Sequence, residues 1–193
     1  MKRTLIHALA LAGLTSAGLA TTAFADPPQP KIVVLDRAAL MQFSKAGQDI
    51  AKQMQTYSAQ AKADLQGQGR SLESEERNLQ QQVAILAPDV KAKKIAAFTA
   101  KQQALQAEVG KKDAQMRYAF ALARQQMETK LGPILQGLVK ARGANMVLDK
   151  QAVVFANVAG FDITGDAINQ LNQQMPSLKV NFNVTPPPQA AQK

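Results

Sequence analysis

The sequence predicts an α+β fold that is mainly α: a long antiparallel helical hairpin of coiled-coil character standing on a small β-sheet body. Three observations predict it. A short apolar, β-branched run, "KIVVLD", spans Lys31 to Asp36, and a second, "GANMVLDKQAVVFANV", spans Gly143 to Val158. Between them lie about a hundred residues dominated by Ala, Gln, Lys and Glu, divided once by "LAPDVKAKK". A strand pair is not stable alone in water, so the two runs must meet, and the chain must leave the sheet and return to it.

Residues 1–25 read as a cleavable signal peptide. Lys2 and Arg3 make a basic start, and an apolar run from Leu5 to about Ala20 follows. That run is shorter than the roughly 20 residues of a spanning helix. Ala23-Phe24-Ala25 supplies the small-x-small cleavage pattern before Asp26. No Cys at the junction offers a lipid attachment point. The expected product is an exported, soluble chain. Residues 26–30, "DPPQP", form an extended leader.

Residues 31–37 and 143–180 are expected to form the β body with a closing helix. Ile32, Val33, Val34 and Leu35 give the first strand. Asn145, Met146, Val147 and Leu148 can pair with it, as can Val153, Val154 and Phe155. Residues 38–142 form the hairpin, with arms over about 38–86 and 89–142 and a tip near 87–89. Pro88 suits a first helical turn and disfavours helix at Ala87. Asp89 then sits where the helix dipole favours an acid. Arms of about fifty residues at 1.5 Å per residue would be rods of roughly 70–80 Å.

Leu65, Leu72, Leu79 and Leu86 recur at a spacing of seven. Ile95, Val109 and Met116 share one heptad position of the second arm, and Phe98 and Leu105 another. This is a thin coiled-coil seam, because the companion positions Lys62, Gly69 and Glu76 are unsuited to burial. So narrow a stripe does not fit a compact helical bundle. Gly67, Gly69 and Gly110 lie at similar distances from Pro88. They form either a joint at one height on both arms or glycines tolerated in a solvated helix. Gly132-Pro133 marks an expected break or kink near the sheet. "DITGDAINQLNQQM" reads as the closing helix, with Thr164 as N-cap and Asp166 in the first turn. Residues 181–193 read as a disordered tail.

The composition excludes several function classes. The chain has no Cys, and its one His, His7, leaves with the signal peptide. No thiolate nucleophile, imidazole base or soft metal site remains. Gly67-Gln68-Gly69 lacks the flanking strand of a phosphate loop, so no cofactor or nucleotide is expected. Glu75 and Glu76 are adjacent, but helix neighbours point apart, and thin arms offer no water-poor pocket to split two carboxyl pKa values. The reading is therefore not an enzyme. Removing Lys2 and Arg3 from 23 basic residues leaves 21 against 14 acidic ones, a net +7. That balance favours acidic partners; export and the scarcity of stacking aromatics argue against nucleic acid.

From Lys45 to Lys130 there are 14 basic and 9 acidic residues. The cluster Lys91, Lys93, Lys94, Lys101, Lys111, Lys112, Arg117 and Arg124 follows the tip. As a group it forms a candidate surface for attracting an acidic partner; any one of these lysines alone is an ordinary solvated residue. Met54, Tyr57, Phe98, Met116 and Phe120 are apolar candidates for touching a partner, with Phe98 and Met116 better explained by the seam.

The order of these pieces, with "KIVVLD" before a hairpin tipped by Pro-Asp and "NMVLDKQAVVFA…DITGDAINQLN" after it, resembles the Skp/OmpH family of periplasmic chaperones. The resemblance runs from Lys31 to about Asn172 and is most specific in the terminal block. It implies a homotrimer in which strands of three chains, through Ile32 to Leu35, Met146 to Leu148 and Val153 to Phe155, build a central barrel body. Three hairpins would project as tentacles around a cavity that holds unfolded outer-membrane proteins without ATP. It also implies contact with lipopolysaccharide or anionic lipid, for which no distinct motif stands out. The competing reading is a structural or adaptor hairpin of the cell envelope without chaperone action.

Overall fold

The computed structural model describes residues 29–154, 157 and 160–187. The signal peptide expected at 1–25, residues 26–28 of the leader, Phe155 and residues 188–193 lie outside the described residues. The described chain is mainly helical. It runs β1 (Ile32–Leu35), α1 (Arg37–Phe43), α2 (Lys45–Gln82), α3 (Pro88–Ala141), β2 (Met146–Asp149), a 3-10 turn (Lys150–Ala152) and α4 (Thr164–Gln174).

β1 and β2 pair in parallel, in the register Ile32–Met146, Val33–Val147, Val34–Leu148 and Leu35–Asp149. A parallel pair needs a long crossover, and here the whole helical hairpin is that crossover. β1 is also bonded on its other side. The Val34 amide donates to the Phe161 carbonyl at 2.8 Å, and the Ile163 amide donates to the Val34 carbonyl at 2.9 Å. The position expected for Val153 to Phe155 is thus filled by 161–163. Lys150–Ala152 coils into the 3-10 turn because Asp149 caps it, accepting from the Gln151 amide at 3.0 Å. That turn ends strand geometry, and Val154 points fully into solvent.

The first arm is two helices rather than one. Asp36 caps α1 by accepting from the Ala39 amide at 2.8 Å, and Ser44 caps α2 by accepting from the Gly47 amide at 3.0 Å. Each caps a fresh helix start, so the chain turns at a fully buried Ser44. α2 ends at Gln82, and the tip occupies 83–87, slightly earlier than the sequence suggests. Pro88 does open α3, with Asp89 in its first turn. At 38 and 54 residues, α2 and α3 would span about 57 and 81 Å.

Of the break or kink expected at Gly132-Pro133, a break does not occur: α3 carries Pro133 in its interior and continues to Ala141. Around it the helix is held by burial, since Ala119, Ala123, Met127, Leu131, Ile134 and Leu138 form one buried stripe. Just past the end of α3, Gly143 has a left-handed φ of 58°. Its amide donates to the Lys140 carbonyl, and the Ala144 amide to the Val139 carbonyl, the paired closure that glycine favours after a helix.

The core lies where the arms enter the sheet. Leu40, Ile50, Ile134, Ile163 and Leu171 are fully buried, and each such side chain is worth about 1.5–3 kcal/mol. α4 begins at Thr164, but Thr164 does not cap it. Its hydroxyl instead accepts from the Asp36 amide, while Asp162 accepts from the Thr164 amide, both at 2.8 Å. Thr164 therefore ties α4 to the end of β1.

Two carboxyls in this body sit below their ordinary range. Asp149 is lowered by the Gln151 amide and by the Arg37 guanidinium at 2.6 Å. At Asp162, burial pushes upward, but hydrogen bonds from Thr164 and Lys150 outweigh it. A carboxyl depressed in the folded state adds stability above its unfolded pKa, near 4, and that stability is lost as pH falls through the lower folded value. The urea midpoint should stay level from about pH 7 to 5 and fall below about pH 4. A midpoint still level at pH 3 would show that these contacts contribute nothing.

The chain after α4 differs most from expectation. In place of a free tail from residue 181, residues 178–184 lie along α2. Leu178 and Val180 are buried, and Phe182 and Val184 pack against the core cluster, while Lys179, Asn181 and Asn183 are exposed.

Candidate functional site

Outside the root, the arms are thin. Leu65, Leu72, Leu79 and Leu86 are all half-buried, as the seven-residue spacing predicts. On α3, Phe98 is buried and Leu105 and Met116 are half-buried, whereas Ile95 and Val109 are 42% and 47% exposed. Open grooves flank this seam. One of about 540 Å³ is lined by Leu72, Glu75, Lys101 and Leu105, and one of about 510 Å³ by Gly69, Glu76, Phe98 and Val109. Both helices run unbroken past Gly67, Gly69 and Gly110, where a Cβ would meet nothing within 4 Å. No close contact requires glycine there.

The basic residues divide into paired and unpaired. Lys101 bridges the arms to Glu75 at 2.7 Å, and Lys94 donates to Gln82 at 2.6 Å. Lys112 with Glu108, Arg117 with Asp113 and Arg124 with Glu128 form pairs along α3. Such exposed pairs add little stability, but they do neutralise local charge. Lys93 and Lys111 are exposed and Lys91 half-buried, and none of the three makes an ion pair among the described residues. The tip adds Ile85, 85% exposed, and the root adds Phe120, 37% exposed.

Two of the apolar candidates are occupied within the chain. Met54 packs against the core cluster. Tyr57 lies flat on Phe182, with ring centroids 4.1 Å apart and planes 4° apart. Its hydroxyl reaches Gln115 on α3 at 3.4 Å, and Lys112 stands 5.9 Å from its ring centre. Tyr57 is thus where both arms and the strap formed by 178–184 converge. The strap was the part missed in the sequence. Its signal was present in "LKVNFNV", strictly alternating apolar and polar from Leu178 to Val184.

The body residues also have an outward side. Val33, Val34 and Leu35 are buried, but Ile32, Met146, Val147 and Phe161 are 37–54% exposed. Leu148 and Val153 are half-buried. Among the described residues β2 has a strand partner on one side only, and an open apolar edge is a template for further pairing. Among the described residues no helix is long and apolar enough to cross a membrane.

Comparison with known proteins fits this geometry. The family described as outer membrane protein (OmpH-like) matches residues 31–171. A crystal structure from Caulobacter crescentus CB15, of a candidate outer membrane chaperone (OmpH-like), superposes with a TM-score of 0.72 at 22% identity, covering 81% of this chain and 92% of its own. At that identity the likeness is one of fold. No curated protein matches the chain. The family match stops at Leu171, before the strap begins.

Proposed function

This chain belongs to the OmpH-like outer membrane protein family, and from that membership we propose that it is an ATP-independent holdase of the periplasm. In this reading a signal peptide over residues 1–25 exports it, and three copies join through Ile32 to Leu35, Met146 to Leu148 and Val153 to Phe155. Their arms enclose unfolded outer-membrane β-barrel proteins. The observation that carries it is the contrast between root and arm: a buried core at one end, and two long, basic, scarcely packed helices beyond it. A holdase without nucleotide must bind and release through many weak contacts, and open grooves beside a thin seam provide them. The open edge of β2, with Met146 and Val147 exposed, supports assembly.

Lys91, Lys93, Lys94, Lys101, Lys111, Lys112 and Arg117 would supply the attracting field, with Phe120 as an apolar contact and Tyr57 as another where Phe182 leaves it, Met54 being held against the core cluster. A basic field raises encounter rates with acidic clients more than it tightens the complex. The same field would draw lipopolysaccharide or anionic lipid. The test is light scattering of a urea-unfolded outer-membrane barrel protein diluted into increasing amounts of the chain. Suppression that saturates near three chains per client is the expected result. Unchanged aggregation at large excess would overturn the reading in favour of an envelope adaptor.

A further inference from the structure

The strap is held in two ways, and neither depends on its own polar side chains. Asp49 accepts from the Leu178 amide at 3.0 Å. The Gln53 side-chain amide donates to the Leu178 carbonyl at 2.7 Å and accepts from the Val180 amide at 3.0 Å. A carbonyl and the amide two residues later point the same way in an extended chain, so Gln53 takes the pair that a neighbouring parallel strand would take. Apolar side chains at every second position, Leu178, Val180, Phe182 and Val184, then face the arms, with Phe182 on Tyr57. The dimensions agree: Asp49 to Tyr57 is about 12 Å of helix, and Leu178 to Phe182 is about 13 Å of extended chain.

The surface under the strap does not end with it. From Tyr57 a groove of about 410 Å³ continues between the arms, lined by Ala61, Leu65, Val109, Lys112 and Met116. We propose that Asp49, Gln53, Tyr57 and this groove form a binding site for an extended peptide segment with alternating apolar and polar residues. The strap is its resident occupant, and client segments displace it. Backbone bonds give such a site tolerance of sequence, while alternate apolar side chains give it selectivity for pattern. Transmembrane β-barrel strands carry that alternation, so the ligand class follows from the strap's own residues. The inference rests on the holdase reading for the source of the ligand, but not for the existence of the site. A tethered occupant acts at millimolar effective concentration, so one short segment competes poorly, and an unfolded barrel offering many such strands competes well.

The test uses a fluorescent peptide with the sequence of residues 177–185 and a second peptide of the same composition with its apolar residues contiguous. Val180→Asn with Phe182→Asn, made together in the full chain, should raise affinity for the alternating peptide by about tenfold, the strap no longer competing. Adding Tyr57→Ala should abolish that gain. In the unaltered chain, the Leu178 and Val180 amides should exchange faster with deuterium at saturating peptide, a readout that requires no variant to fold. Equal affinity with and without the strap substitutions, unchanged exchange, or equal binding of the contiguous peptide would each overturn the proposal. Scattering assays on the same chains separate the two readings. Suppressed aggregation with no peptide effect removes the strap site alone, whereas unsuppressed aggregation removes the holdase reading whatever the peptide does.

Discussion

Gly47→Ala should destabilise the chain by about 3 kcal/mol, read as a lower urea midpoint with the slope retained. A Cβ at this position would fall on the backbone of Met41, against its carbonyl oxygen and within 2.7 Å of the carbonyl carbon. No rotamer change relieves a clash between one backbone and another. The corner between α1 and α2 would have to open, and the buried groups at that corner would lose their fit. Ser44, whose hydroxyl accepts from the Gly47 amide, would lose its cap, and Leu40, Ala46 and Ile50 would lose close packing. Gly67→Ala is the matched control. A Cβ there meets nothing within 4 Å, so removing a helix-interior glycine should stabilise by about 0.5–1 kcal/mol. Equal behaviour of the two substitutions would mean that the corner is not tight.

The same contrast explains what was legible in the sequence. The hairpin, its Pro88 start and the β1–β2 pairing follow from local signals: heptad leucines, a proline with a following acid, and β-branched runs. These signals lie in the residues that form the element. The turn at Ser44 was not legible, because a serine within a helical pattern becomes a cap only if tertiary packing bends the chain there. Pro133 shows the opposite case, a local signal that does not end the helix. Its local signal is a break, but the buried stripe from Ala119 to Leu138 outweighs the lost backbone bond. Val153 and Val154 carry β propensity, yet Asp149 captures the Gln151 amide and ends the strand before them. The strap is hard to read locally because the Pro- and Gln-rich end of the chain, residues 185–193, reads as a tail and the alternation of residues 178–184 runs straight into it. Tyr57 could be named from the sequence only as an apolar candidate for touching a partner, whereas Asp49 and Gln53 gain their bonds only once residues 178–180 lie beside α2.

Reversing charge at Lys91, Lys93 and Lys111 to Glu should weaken capture of an unfolded barrel protein about tenfold at low ionic strength, leaving helicity and oligomeric mass unchanged. The choice of residues comes from the pairing pattern. Lys101→Glu would set two acids together across the arms, because Lys101 is held by both Glu75 oxygens at 2.7 and 2.8 Å. Lys94, Lys112 and Arg117 are likewise engaged by Gln82, Glu108 and Asp113. Their reversal would confuse altered arm geometry with altered field. Among the described residues Lys91, Lys93 and Lys111 form no ion pair, and they lie far from the sheet along α3. Exposed charges contribute about 0.2–1 kcal/mol each, and about 1.4 kcal/mol is tenfold in affinity. Because the field acts through solvent, the deficit should appear mainly in the association rate and fade as salt shortens the screening length to about 3 Å near 1 M. Unchanged capture at low salt would show that the unpaired lysines attract nothing. A loss that persists at high salt would shift the weight to apolar contact, and to the exposed Ile85 and Phe120 as the residues to change next.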